Sequence, residues 1–173
     1  MRITLQQYNF NWKNQFNEMK RELENVLSEV EIEHIGSTSV EKLMAKAIID
    51  ILIGVKKSEK LDSFVSPIQN LGFKYISEYE KNLPNRRFFI KEENGNITHH
   101  IHLVHSNTNW FKRHIAFRNE LRINSNTREE YKNLKLKLSN KDWESGNDYS
   151  DGKTEFIRSV ENRILNENTE IYK

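Results

Sequence analysis

Between Ala47 and Val55 the chain reads Ala-Ile-Ile-Asp-Ile-Leu-Ile-Gly-Val, an apolar run broken by a single charge at Asp50. A short run apolar on both faces is the pattern of a central β-strand covered from both sides, so it fixes the middle of a sheet. A lone carboxylate inside such a strand costs roughly several kcal/mol if buried unpaired, so a cation, a metal or a hydrogen-bond donor must meet it. Just upstream lies the polar loop Gly36-Ser37-Thr38-Ser39. Loop and carboxylate together make half of a phosphate-and-metal site.

The chain has 173 residues, 36% of them hydrophobic and 30% charged, which allows one core beneath a heavily charged surface. One domain over residues 1–173 is expected. Lys and Arg number 27 against 25 Asp and Glu, a net charge of +2, so no global field draws the chain to nucleic acid and any basic site must be local. There is no cysteine, which excludes disulfides, iron–sulfur clusters and thiol nucleophiles. The N-terminus opens no apolar signal region, and no run approaches the ~18 apolar residues of a spanning helix. A soluble cytoplasmic protein is expected, with no membrane partner; its oligomeric state is open.

Apolar residues at three- and four-residue steps predict an amphipathic helix from Trp12 to Val30. Glu31 to Ile35 alternates as a short strand. Leu61 to Leu71 reads as a helix stopped by Gly72, and Phe73–Ile76, Arg87–Lys91 and Thr98–Val104 as strands. The last third is helical, roughly Trp110–Arg122, Arg128–Leu138 and Lys153–Leu165. The order of elements predicts an α/β or α+β sheet with a helical C-terminal portion.

Three groups of residues can carry chemistry. Gly36, Ser37, Thr38 and Ser39 can offer amides and hydroxyls to a phosphate, or Thr38 and Glu41 can simply cap a short helix. Asp50 can hold a divalent cation or contact substrate, or can pair with Lys46, Arg86 or Arg87. In the cluster His99, His100, His102 and His105, the strand period of two puts His100 and His102 on one face, where they can join Asp50 in a cleft. Basic residues supply the rest: Arg86 and Arg87 before a strand, Arg113, His114, Arg118 and Arg122 along a helix, and Lys153 near a helix start where the dipole favours an acid.

Taken together, His34-Ile-Gly-Ser-Thr-Ser-Val40, Lys46-Ala-Ile-Ile-Asp-Ile51, His100-Ile-His-Leu-Val104, Phe117-Arg-Asn-Glu-Leu-Arg122, Tyr131-x-x-Leu134-Lys135 and Tyr149-x-x-x-Lys153-x-x-Phe156 resemble the GrpB family, from Trp12 to about Leu165. That family also occurs as a C-terminal appendage of some bacterial dephospho-CoA kinases and is grouped with the nucleotidyltransferase fold. The resemblance implies a nucleotidyltransferase-like mixed β-sheet flanked by helices, binding a phosphorylated small molecule, a nucleotide above all. Asp50, His100 and His102 are the implied catalytic and metal-binding residues, for manganese, magnesium or zinc. Gly36, Ser37, Thr38, Ser39, Lys46, Arg87, Arg118, Arg122 and Lys153 are the implied phosphate contacts. Leu52 stands where the superfamily's second acid is expected, and an apolar side chain coordinates no hard cation. The alternative reading is a ligand-binding module that has lost transfer chemistry.

Overall fold

In the computed structural model, which describes residues 1–170 with side chains through 165, the Asp50 strand lies within a five-stranded sheet. Its strands are β1 (Glu31–Ile35), β2 (Ile49–Val55), β3 (Lys74–Tyr75), β4 (Arg87–Glu93) and β5 (Asn96–His105), in the order β1-β2-β5-β4-β3. Only β2 and β5 run parallel; the other neighbours are antiparallel. The parallel pairing sets Asp50 opposite His100 and Leu52 opposite His102.

Alternation then divides the sheet into two faces. Ile49, Ile51 and Ile53 of β2, Ile101 and Leu103 of β5 and Phe89 of β4 pack against Trp12, Phe16, Met19 and Leu23 of helix α1 (Asn11–Val26) and Ile68 of α2 (Val65–Gln69). The other face carries Asp50, Leu52, Gly54, His100, His102 and Val104. It is roofed by α3 (Asn109–Ile123), α4 (Ser125–Ser139), α5 (Gly146–Asp151) and α6 (Thr154–Glu170). Leu52 is fully buried there, with Ile35, Val104 and Phe111 of α3. Gly54 admits Phe111 so closely that a Cβ would lie 2.6 Å from its ring.

The roof helices are fixed by caps and one polar knot. Thr108 accepts from the Phe111 amide at the start of α3, and Asn124 caps α4 through the Asn126 and Thr127 amides. Ser145 and Asp148 form a capping box that starts α5. Buried Glu120 accepts from Asn124, Thr127 and Arg163, tying α3, α4 and α6 together.

The mixed sheet, the flanking helices and the helical C-terminal portion are those expected from the sequence. Four local readings need correction. The first helix ends at Val26, not Val30: Leu27 is already extended, at φ -118° and ψ 134°, and the chain then turns through Glu29 with φ +55°. Residues 61–71 split into a 3-10 turn, Leu61–Phe64, and the single-turn α2. Thr38 does not cap the turn Ser37–Ser39; its hydroxyl donates to the Ile48 carbonyl and accepts from His34. Lys153 sits in the break between α5 and α6, so the expected clash with a helix dipole is replaced by packing on the Tyr149 ring, 4.5 Å away. Among the described residues, no helix is long and apolar enough to cross a membrane.

Candidate functional site

Where β2 and β5 run side by side under the roof helices, a cleft of about 350 Å³ opens onto Asp50, His100 and His102. Asp50 is partly exposed, its side chain 26% accessible, and its Oδ1 lies 3.1 Å from Nδ1 of His100. With that N–H committed to the carboxylate, Nε2 is the nitrogen His100 presents to a ligand. Gly36, at φ +71°, lets the turn after β1 lie directly on Asp50; a Cβ there would fall on Oδ2. Burial pushes the Asp50 carboxyl up, but the hydrogen bond and charge of His100, with His102 and Lys153, outweigh it and hold it below its usual value.

His102 faces the same cleft with a different partner. Its Nδ1 lies 3.2 Å from the Arg86 guanidinium, a group that can only donate, so the imidazole accepts there and its proton sits on Nε2. Burial above all, and then Arg86, keep His102 neutral, well below the ordinary histidine value. Arg86 itself is clasped by the rings of Phe88, Tyr79 and Trp110, 5.1 to 5.9 Å away.

Three lysines complete the lining: Lys46, Lys135 and Lys153. Lys135 donates to Ser37 Oγ at 3.0 Å and also to the Met44 carbonyl. Burial lowers it to about 7 and Lys153 to about 8; Lys46 deepens the lowering of Lys153, and Asp50 partly reverses it. Asp50 is the one acid on this lining, against three lysines and Arg86. A chamber of about 270 Å³ continues behind it, lined by Ser37, Asp50, His102, Arg118 and Lys153 with the rings of Phe117 and Tyr131.

Of the residues singled out in the sequence, the fold therefore brings Ser37, Thr38, Lys46, Asp50, His100, His102 and Lys153 to one cleft. Gly36 and Arg118 line the chamber behind; Arg118 is spent on Glu33 and the His34 carbonyl. Arg87 lies elsewhere: it shares the Leu103 face of the sheet and binds Asp62 and Glu80, while its neighbour Arg86 enters the cleft. Arg122 holds the Ser39 carbonyl and, with Ser39, lines a separate cavity. His99 turns to Phe73 and Thr98, and His105 to the Glu59 carbonyl.

One ligand atom from each of Asp50, His100 and His102 lies within 4.8 Å of the others, a spacing one ion can bridge. One carboxylate with two imidazoles suits manganese or zinc and fits magnesium poorly. His102 can join only once Arg86 lets go. Ligation through Nδ1 takes the atom Arg86 occupies, and ligation through Nε2 puts a proton on Nδ1 against a donor.

Residues 2–163 match the family model described as GrpB protein. The chain belongs to the GrpB family. It is 36% identical to the UPF0157 protein YqkA of Bacillus subtilis over 156 residues, covering 89% of this chain but only 45% of that longer relative. It is 31% identical to the glutamate-rich protein GrpB of Alkalihalophilus pseudofirmus, over 94% of this chain and 95% of that one. The crystal structure of the conserved protein GrpB from Enterococcus faecalis superposes with a TM-score of 0.82 at 34% identity, covering 95% of this chain and 99% of that one.

Within this GrpB fold, sequence reasoning missed Lys135, Tyr149 and Ser150 as lining residues, and it named Arg86 as a possible partner for Asp50 and as part of a basic pair with Arg87 but chose Arg87 as the phosphate contact. Lys135 did leave a signal. It falls on the stripe Tyr131, Leu134, Leu138 of α4, where a lysine has no reason to be unless its amine has a destination.

Proposed function

We propose that the cleft binds a phosphorylated small molecule, a nucleotide above all, and that the Asp50–His100 pair serves as its proton acceptor in a group-transfer reaction. The observation that carries this reading is the convergence of Lys46, Lys135, Lys153 and Arg86 on a cleft whose one acid already holds an imidazole in place. Four cations around one carboxylate leave a surplus of positive charge that a phosphate chain would neutralise. Asp50 orients His100 so that Nε2 can take the proton of an attacking hydroxyl. The grouping of the family with nucleotidyltransferases supports the same chemistry. A manganese or zinc ion would be held by Asp50 and, once Arg86 lets go, His102, leaving His100 Nε2 for the proton. His100 could be a third ligand only in a state in which it takes no proton, and the ion when bound would polarise the phosphoryl oxygens.

A second reading, a binding module without turnover, is favoured by Leu52. The place of the superfamily's second acid is filled by a fully buried apolar side chain, so a pair of metals has no second carboxylate on this strand.

Pyrophosphate release from nucleoside triphosphates with manganese, measured for wild type and His100→Ala side by side, separates the two. Turnover in the wild type that His100→Ala abolishes is the expected result, since loss of a positioned base costs about 100-fold or more. Triphosphates that raise the melting temperature of both proteins without pyrophosphate release would establish the binding module instead.

A further inference from the structure

A larger cavity, about 520 Å³, opens where α1, the Ser37–Ser39 turn and the junction of α3 and α4 meet. It shares Thr38 with the Asp50 cleft and none of its charged groups. Its cations come from different elements: Lys13 of α1, Lys42 after the turn, Arg122 of α3 and Arg128 of α4. Glu41 is the one acid on the lining. Among the described residues, none of these four cations forms an ion pair. Arg122 spends Nε and one terminal nitrogen on the Ser39 carbonyl, and Arg128 spends one terminal nitrogen on the carbonyls of Leu121 and Arg122, so each guanidinium keeps donors to spare. The floor is rigid and aromatic: the His34 ring stacks on Phe16 with centroids 4.6 Å apart. Lys42 is held at φ +67°, a conformation that side-chain-bearing residues rarely adopt.

We propose that this cavity is a second anion site, taking a small molecule with several linked phosphates. Unpaired charges that converge on a bounded cavity from separate elements suit a compact polyanion; a nucleic-acid strand calls for a row of charges along an open groove. The sequence grouped Arg122 and Ser39 with the phosphate contacts of Asp50's site, and the fold assigns them to a different ligand.

Calorimetric titration of inorganic tripolyphosphate into the full chain at low salt tests this. Lys13→Glu combined with Lys42→Glu should remove one class of binding that Lys153→Ala leaves intact, whether or not the Asp50 cleft binds phosphate as proposed above. Lys42→Gly should bind about fivefold more weakly while melting at higher temperature, because glycine relieves the left-handed backbone; weaker binding is then not a folding defect. Tripolyphosphate binding that the double charge reversal leaves unchanged, or no binding by the wild type, overturns the proposal. So does a single-stranded RNA oligonucleotide that binds more tightly than tripolyphosphate and is lost in the same variant.

Discussion

Arg86 governs what His102 can do. While the guanidinium donates to Nδ1, His102 is a neutral imidazole that offers an N–H to the cleft, useful against a phosphate oxygen and useless to a cation. Arg86→Met keeps the packing on Phe88 and removes the donor. It should therefore tighten manganese binding by about tenfold while weakening phosphate binding by a similar factor, both read by calorimetry. Equal weakening of both would show that Arg86 only props the cleft open. At this scale the sequence is legible where a pattern forces a side chain to one face. Asp50, His100 and His102 could be grouped because strand period and an unpaired carboxylate both point inward. Arg86 and Arg87 could not be told apart, because the choice depends on Phe88 standing opposite His102, a register set by the whole β4–β5 pairing.

At the scale of elements, the strand β2 and the turn before it act as one part. The turn lies on Asp50 because Gly36 has no side chain, and Thr38 fastens it to the Ile48 carbonyl two residues away from that carboxylate. Two positions further along β2, Leu52 belongs to the packing of Ile35, Val104 and Phe111 and is closed to solvent. Leu52→Asp should therefore fail to restore a second metal ligand and instead cost about 3 kcal/mol or more, since the new carboxylate would be buried without a partner. Urea denaturation measures the loss, and manganese affinity unchanged in the remaining folded protein completes the test. The strands and long helices were readable because their hydrophobic periods span many residues. The capping box at α5 and the break at Lys153 were not, because a short helix is decided by tertiary packing and a few capping bonds.

For the molecule as a whole, buried bases dominate the response to pH. His34 is pushed down to about 4 by burial, and burial also lowers His99, His102 and His114, all from 6.5. Between about 4 and 6.5 the unfolded chain thus binds more protons than the folded one, so stability rises with pH across that window. Lys135 and Lys153, at about 7 and 8 against 10.5 unfolded, extend the rise from about pH 7 to 10. Burial raises Tyr131, and Tyr149 to about 12, above the unfolded value of 10.0, so stability falls again beyond about pH 10 as the unfolded tyrosines ionise first. Melting temperatures of the free protein from pH 4 to 10.5 should trace that climb and fall, and Lys135→Met with Lys153→Met should flatten the stretch from 7 to 10. Phosphate affinity in the cleft should move the other way, dropping from about pH 7 upward as Lys135 and then, near 8, Lys153 lose their charge.

The parallel pairing of β2 with β5 also dictates an order of events during synthesis. Asp50 and His100 stand 50 residues apart, and everything from α2 through the β4–β5 hairpin lies between them. A chain halted before residue 100 carries the carboxylate without its imidazole and a strand, apolar on both faces, with one edge open. The hairpin can close locally, but β2 must wait for it, so the site is completed only after a long loop has been drawn shut. During that interval the open edge of β2 is available for pairing with another unfinished copy of itself, and a charge at Asp50, inside an otherwise apolar run, disfavours such pairing.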